Sequence, residues 1–318
     1  MNKKQNIDQE RVKRAKNALE LWKIAHFSGY TMVSFSQLSM FLQCPYKWKL
    51  NYIDRVKRFK PNIYLLFGSA MHTVVEKFIE TFYSSTITAA NDLDLNTLLF
   101  EEMRKEFKKI LLENKAIDSS FTNKDQMSEF YNDGINAIDD FKKKRGKYIS
   151  KKNHELVGTE IPILYIYNEE KKIAFAAFMD FGIKDAREEI PTYDLFDIKT
   201  STRGWRDFEK KNFNKIQQLL LSKYFFSKTH DIPLNDINVK YLIFKRKIQE
   251  DSPYPISRIQ EFSPSNGKVN VGKAIKNLDF FIDFCFDDKG KKRTDIEYPK
   301  KESKLCDWCE YQDICERK

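Results

Sequence analysis

Residues 194–201 read DLFDIKTS and place an acid and an amine two positions apart, at Asp197 and Lys199. The run is predicted to be a β-strand. Because side chains alternate between the two faces of a strand, the acid and the amine project from the same face, while Ile198 points into the opposite layer. A surface salt bridge is the ordinary explanation of such a pair, so a catalytic interpretation needs support from elsewhere in the chain.

A second acid provides that support at the end of the preceding predicted strand, where residues 174–180 read AFAAFMD and finish at Asp180. Two carboxylates brought together at a sheet edge repel each other unless a cation lies between them. Mg²⁺ and Mn²⁺ suit such a place, because they take carboxylate and carbonyl oxygens and retain waters. A metal there can activate a water and stabilise a leaving oxygen. With Lys199 holding that water, the pattern predicts a nuclease.

A third element is the run LFGSAMHTVVEKF at residues 66–78. It predicts a helix with Ser69 as N-cap, His72 in the first turn and Glu76 four residues later on the same side. The chain has only 4 histidines. A solvent-facing or core histidine is the usual alternative, but this position favours a metal ligand.

The flanking patterns predict a mixed α/β core. A β-hairpin spans about 155–186, a helix about 208–228, a strand 237–247 and a last helix 271–286, and mainly helices precede them from 67 to about 145. Upstream, an amphipathic helix is predicted within the first 25 residues, and another starts at Ser34 or Ser36 and is interrupted at Pro45. The predicted architecture is α/β, a mixed sheet flanked by helices with a helical insertion.

No linker forces a division, so 1–318 is predicted to be a single domain with four parts. These are an N-terminal helical region (1–66), a helical segment (67–150), an α/β core (151–265) and a C-terminal helix followed by a cysteine cluster (266–318).

Composition limits the partners. Hydrophobic residues make up 41% of the 318 residues, which suffices for a core, and the net charge of +10 favours polyanions. Because no run of about 18 apolar residues occurs and the first twenty residues are charged throughout, neither a membrane span nor a signal peptide is expected. A cytoplasmic protein of a bacterial, archaeal or phage-infected cell is expected.

The ordered set FGSAMH, FMD and DIKT, followed by a glutamine-bearing helix, resembles the RecB-like branch of the PD-(D/E)XK nuclease superfamily. The resemblance implies a restriction-endonuclease-like fold and an Mg²⁺- or Mn²⁺-dependent nuclease. It implies that His72, Asp180, Asp197 and the backbone carbonyl of Ile198 bind the metal. Lys199 is then the catalytic lysine.

Two positions depart from the family pattern. Ala177 stands where the family has a glycine before the acid, and neither glutamine of the helix has a tyrosine four residues later. Gln218 is favoured over Gln217 as the catalytic-site glutamine, and Tyr224 follows within the next turns.

Three of the 5 cysteines lie in KLCDWCEYQDIC at residues 304–315, namely Cys306, Cys309 and Cys315. Zinc sites and [4Fe–4S] clusters normally need four ligands, and Cys44 is the fourth candidate. The pattern resembles an iron–sulfur subset that includes CRISPR-associated RecB-like exonucleases and AddB-type subunits, which implies a [4Fe–4S] cluster. Structural Zn²⁺ remains the alternative. Cys285 is interpreted as a core thiol.

The resemblance implies an exonuclease that acts on DNA ends in replication, recombination or repair. Aromatic residues interleaved with basic ones suit single-stranded DNA, and Trp48, Trp205 and Tyr224 are the candidate contacts. Two alternatives are a non-catalytic DNA-binding subunit and a CRISPR spacer-processing nuclease, with helicase, recombination or CRISPR proteins as partners. The chain carries no P-loop of its own.

Overall fold

The computed structural model describes residues 7–56, 58, 60–113, 121–249, 253–254 and 256–315. The strands are β1 (Thr31–Ser34), β2 (His154–Asn168), β3 (Ile173–Asp185), β4 (Thr192–Ser201), β5 (Ile237–Lys245) and β6 (Ile259–Phe262). The helices are α1 (Gln9–Lys13), α2 (Ala18–Phe27), α3 (Phe35–Gln43), α4 (Pro45–Tyr52), α5 (Ile63–Ser84), α6 (Ile87–Asn91), α7 (Leu95–Glu113), α8 (Lys124–Lys144), α9 (Asp207–Lys210), α10 (Phe213–His230), α11 (Lys268–Cys285) and α12 (Gln312–Cys315).

The sheet has six strands in the order β1-β3-β4-β5-β6, with β2 also paired to β3. β2 runs antiparallel along almost all of β3 and so occupies one of its edges. The other edge is shared by two strands: β1 pairs in parallel with residues 173–176, and β4 pairs antiparallel with residues 181–185. Residues 177–180 of β3 therefore face a gap between β1 and β4, where backbone and side-chain groups are free to meet a ligand.

Helices cover both faces of this sheet. On one face α3, α10 and α11 pack with β-strand residues in a core that includes Trp48 and Tyr241. On the other face α5, α7 and α8 pack against the stacked pair Phe181 and Phe196, whose ring centroids are 4.4 Å apart. Burying each such aromatic side chain stabilises the fold by about 2–3 kcal/mol. A third, smaller cluster seals α1 and α2 onto β1–β3.

The predicted mixed sheet flanked by helices is confirmed, as are the hairpin, the strand carrying DLFDIKTS and the break at Pro45. The predicted Ser69 N-cap is wrong, because α5 begins at Ile63 and the Asn62 side chain accepts a hydrogen bond from the Leu65 backbone N–H at 3.0 Å. The apolar face simply extends upstream of Gly68. The single helix predicted near the N-terminus is two helices, and its first six residues lie outside the described chain.

Across the parts of the chain that are described, every helix is either too short or too polar to cross a membrane.

Candidate active site

The gap in the sheet brings two acids face to face. The β3–β4 ladder reaches its last pair at Phe181 and Phe196, so Asp180 and Asp197 occupy the next opposing positions just beyond it. The backbone N–H of Ile198 donates a hydrogen bond to Asp180 Oδ2 at 2.5 Å, which fixes that carboxylate against β4. Burial and the facing Asp197 raise the pKa of Asp180 well above its usual range. The sheet thus holds Asp180 where burial and the charge of Asp197 disfavour its ionised form.

His72 reaches this gap from α5. Its Nδ1 lies 3.5 Å from Asp180 Oδ2. Burial lowers the pKa of His72 to about 4, so the imidazole is neutral at pH 7. A neutral imidazole is the form that binds metals. His72 lies in the third turn of α5 rather than in the first, since the helix starts nine residues earlier.

Glu76 joins the group one turn further along α5. His72, Glu76 and Asp180 each offer a ligand atom within 4.8 Å of the others. Glu76 Oε1 is buried and has no hydrogen-bond partner among the residues described. Burial, followed by the charges of Glu160 and Asp180, raises the pKa of Glu76 to about 9. The i, i+4 spacing to His72 was visible in the sequence, but only the fold shows that the pair faces Asp180.

Asp197 contacts Lys199 and Gln218, and it is not part of the group formed by His72, Glu76 and Asp180. Lys199 Nζ lies 2.5 Å from Asp197 Oδ1, and Gln218 Nε2 donates to Asp197 Oδ2 at 2.8 Å. Burial lowers the pKa of Lys199, but Asp197 and Asp180 outweigh it and the pKa ends above the ordinary value. Lys199 is therefore charged at neutral pH. The structure brings Asp180, Asp197, Lys199 and Gln218 together, as the sequence predicted.

The donor atoms here suit a hard divalent cation. Carboxylate oxygens of Asp180 and Glu76 and a nitrogen of the neutral His72 imidazole lie within 4.8 Å of one another, and Glu76 Oε1 has no hydrogen-bond partner among the described residues. Mg²⁺ and Mn²⁺ take oxygen-rich sites of this kind. A bound cation would also relieve the repulsion that raises the pKa values of Asp180 and Glu76.

The three aromatic residues predicted to contact DNA differ in how far they are buried. Trp48 is fully buried and stacks on Tyr52 and Tyr298, which contradicts its assignment as a base-stacking residue, since a side chain without exposed surface cannot meet a base. Trp205 is half-buried beside Tyr241, on the loop that follows Lys199. Tyr224 is half-buried on α10 against Phe225.

The four predicted cysteine ligands line one cavity of about 400 Å³, and all are free thiols. Cys44 lies between α3 and α4, and its Sγ accepts a hydrogen bond from the Lys301 backbone N–H at 3.5 Å. Cys306 Sγ accepts from Ser303 N–H at 3.4 Å. Within the described chain no three cysteine sulfurs lie within 4.8 Å of one another. A tetrahedral zinc site would place them about 3.8 Å apart at a Zn–S distance of about 2.3 Å.

Comparison with known proteins adds three findings. A sequence model of the PD-(D/E)XK nuclease superfamily matches residues 32–316. No curated protein has significant sequence similarity to the chain. Among solved structures, a protein from Eubacterium rectale described as "Putative exonuclease" aligns over 92% of this chain and 98% of its own, with 10% identity and a TM-score of 0.44.

Proposed function

This chain belongs to the PD-(D/E)XK nuclease superfamily, and from that premise we propose that it is a metal-dependent exonuclease that hydrolyses phosphodiester bonds at single-stranded DNA ends. The observation that carries the proposal is the convergence of Asp180, Asp197 and Lys199 at the gap beside β3, with Lys199 2.5 Å from Asp197. The six-stranded mixed sheet flanked by helices is consistent with a restriction-endonuclease-like fold.

Members of this superfamily typically use Mg²⁺ or Mn²⁺, and such an ion would lower the pKa of an attacking water and offset charge on the phosphate. Asp180, Asp197, His72 and the Ile198 carbonyl would hold it, as the sequence predicted, and we add Glu76. Asp197 orients Lys199, whose ammonium positions the water and offsets charge developing on the phosphate. Gln218 fixes the second oxygen of Asp197, so that the carboxylate keeps one orientation during the reaction.

The choice of DNA ends as substrate is supported by charge and by the surface near the site. The chain carries a net charge of +10, and Arg203 and Arg206 are exposed on the loop that follows Lys199. Trp205 on the same loop is a stacking candidate for an unpaired base. Replication, recombination or repair is the proposed setting, with helicase, recombination or CRISPR proteins as candidate partners.

We also propose that Cys44, Cys306, Cys309 and Cys315 hold a [4Fe–4S] cluster, with Zn²⁺ as the alternative. The cavity of about 400 Å³ that all four cysteines line supports one shared site. Reduced thiols suit the cytoplasm, the proposed location. A salt bridge of 3.0 Å between Lys47 and Glu310 joins the two ends of the chain here, in keeping with a single domain over 1–318.

The test is hydrolysis of end-labelled single- and double-stranded DNA by protein purified anaerobically, with and without Mn²⁺. Asp197→Asn and Lys199→Ala should each reduce cleavage at least about 100-fold while leaving DNA binding intact. Lys240→Ala is the matched control, because Lys240 pairs with Asp194 on the same strands outside the gap. Full binding without any cleavage by the metal-loaded wild type would instead indicate a non-catalytic DNA-binding subunit.

A further inference from the structure

A basic cavity lies at the C-terminal ends of β4 and β5. This cavity of about 640 Å³ is lined by six residues, three of which are basic: Arg203, Lys245, Lys247, Ile248, Gln249 and Ile256. No acidic side chain lines it within the described chain. A concave site bordered by several cations is suited to an anion.

The register of the sheet links this cavity to the proposed active site. β4 and β5 are parallel, with Lys199 beside Ile243 and Ser201 beside Lys245. Side chains two residues apart on a strand share a face, so Lys245 is on the face that carries Asp197 and Lys199. From the strand rise and spacing, the Cα atoms of Lys199 and Lys245 are roughly 8 Å apart.

The loop that carries Arg203 is held firmly in place. The Gln260 side chain accepts a hydrogen bond from Trp205 N–H at 2.7 Å and donates to the Trp205 carbonyl at 3.1 Å. The backbone N–H groups of Arg246 and Lys247 donate to the carbonyls of Ser201 and Thr202. The cations on the two segments are therefore preorganised relative to each other, which reduces the entropic cost of binding.

Gly204 allows the close fit of this loop over Lys245. Its φ is +86°, and a Cβ there would lie 2.9 Å from Lys245 Cδ and 2.8 Å from Gln260 Oε1. The lysine stem therefore passes close to the loop, and Lys245 is one of the residues that line the cavity.

The cations differ in how far their charge is already compensated. Lys247 lies 2.9 Å from Glu129 and 3.0 Å from Asp133, so acids on α8 neutralise part of its charge. Burial lowers the pKa of Lys245, and the nearby cations Lys144 and Arg258 act in the same direction against Asp140. Lys245 is thus a half-buried ammonium in a largely positive setting, which an incoming anion would stabilise.

We propose that this basic cavity binds a non-scissile phosphate of the substrate strand, with Arg203 and Lys245 as its two cationic contacts. The inference rests on the proposed nuclease function and deepens it: the scissile phosphate lies at the gap beside β3, and a neighbouring phosphate of the same strand lies at the cavity. The cavity recognises the negative charge of the phosphate and does not distinguish one base from another.

The test measures binding without chemistry. Fluorescence anisotropy of a labelled thymidine oligonucleotide is recorded in EDTA with the full-length chain, at several salt concentrations. Arg203→Gln and Lys245→Gln should each weaken binding about tenfold, and each should lower the slope of log affinity against log salt by about 0.7. Lys245→Arg should restore binding. The control Lys108→Gln removes an exposed charge from α7 and should change the affinity less than twofold.

Oligonucleotides with a 5′-hydroxyl and with a 5′-phosphate distinguish an internal phosphate from a terminal one, because only a terminal site loses its mutational effect when the end phosphate is absent. Unchanged affinity and salt slope in both Gln variants, with unaltered thermal unfolding, would overturn the proposal. If the two variants lose binding but Mn²⁺-loaded wild type leaves DNA uncut, the phosphate site stands and the nuclease proposal fails.

Discussion

Two adjacent glutamines of α10 have different partners, and this difference can be measured. Gln218 donates to Asp197, whereas Gln217 is fully buried and its Oε1 accepts from Asn277 at 3.0 Å. We expect Gln218→Ala to lower kcat about tenfold or more with little change in unfolding, because Asp197 loses a positioning contact. Steady-state cleavage and thermal unfolding, measured together, check this.

Gln217→Ala is the matched variant and should behave oppositely. It leaves Asn277 without its partner in the core, so unfolding should become easier by about 1–3 kcal/mol while kcat is kept. Equal activity losses in both variants would show that Gln218 acts only through stability.

Glu76 makes the metal-free protein sensitive to pH. Its pKa is about 9 in the folded state against an ordinary 4.5, so the unfolded chain ionises first as pH rises. Stability is therefore fully present below about pH 4.5 and is lost progressively toward pH 9. Glu76→Gln removes this loss, and its advantage over wild type should grow by at least about 1 kcal/mol between pH 5 and pH 9.

Urea unfolding in EDTA at three pH values measures this, with Glu101→Gln at an exposed position of α7 as the control. Added Mn²⁺ should stabilise wild type more than Glu76→Gln, because the variant lacks one metal ligand. A stability difference that stays constant with pH would contradict the assignment.

At the level of elements, the sequence predicted the segments whose local composition favours one secondary structure. The hairpin β2–β3, strand β4 and helices α10 and α11 were predicted in this way, and the structure contains them. The sequence alone could predict that Asp180, Asp197 and Lys199 lie close together. The alternation of side chains along a strand and the succession of neighbouring strands can both be identified from local sequence. The part of the site that follows from local sequence pattern could therefore be predicted.

What could not be predicted depends on contacts distant in sequence. β1 has only four residues, and its place beside β3 is decided by a pairing that no local pattern encodes. Glu76 became a ligand candidate only when α5 was seen to face Asp180. Trp48 was misassigned because a tryptophan flanked by lysines has the same local sequence whether its ring is exposed or lies in the core.

The turn at Gly290 packs the C-terminal segment against the sheet, and a substitution there can measure how much this contact stabilises the fold. Gly290 has a φ of +70°, and a Cβ there would lie in contact with the backbone carbonyl of Lys171 in the β2–β3 turn. Gly290→Ala should therefore destabilise the fold by about 1–3 kcal/mol. Chemical denaturation measures the change.

Gly272→Ala is the control, since Gly272 lies inside α11 with open space around its Cα. It should stabilise the fold by up to about 1 kcal/mol, because alanine favours helices. Equal stabilities for the two variants would show that the Gly290 turn bears no strain.

For the whole molecule, the cysteine cavity predicts a coupling between the two ends of the chain. Cys44→Ser and Cys306→Ser should each cost at least about 2 kcal/mol of unfolding free energy, and the double variant should cost little more than either one. Non-additivity is expected from the proposed metal site, which both residues would share. Thermal unfolding with iron and zinc analysis of each purified variant checks the expectation.

Cys285→Ser supplies the comparison, because Cys285 is buried in the core away from the cavity. Its cost should add to that of Cys306→Ser. Additive costs for Cys44 and Cys306, or a purified protein with neither metal, would contradict a shared site.

Because β1 and β4 share one edge of β3, the direction of synthesis determines when each strand can pair with β3. Thr31–Ser34 must wait for Ile173–Ala176 to leave the ribosome, and Cys44 must wait still longer for Cys306. Pairings across such distances close late and slowly. The two walls of the gap, β1 and β4, are both present once residue 201 has been synthesised, whereas the cavity lined by Cys44 and Cys306 can form only later.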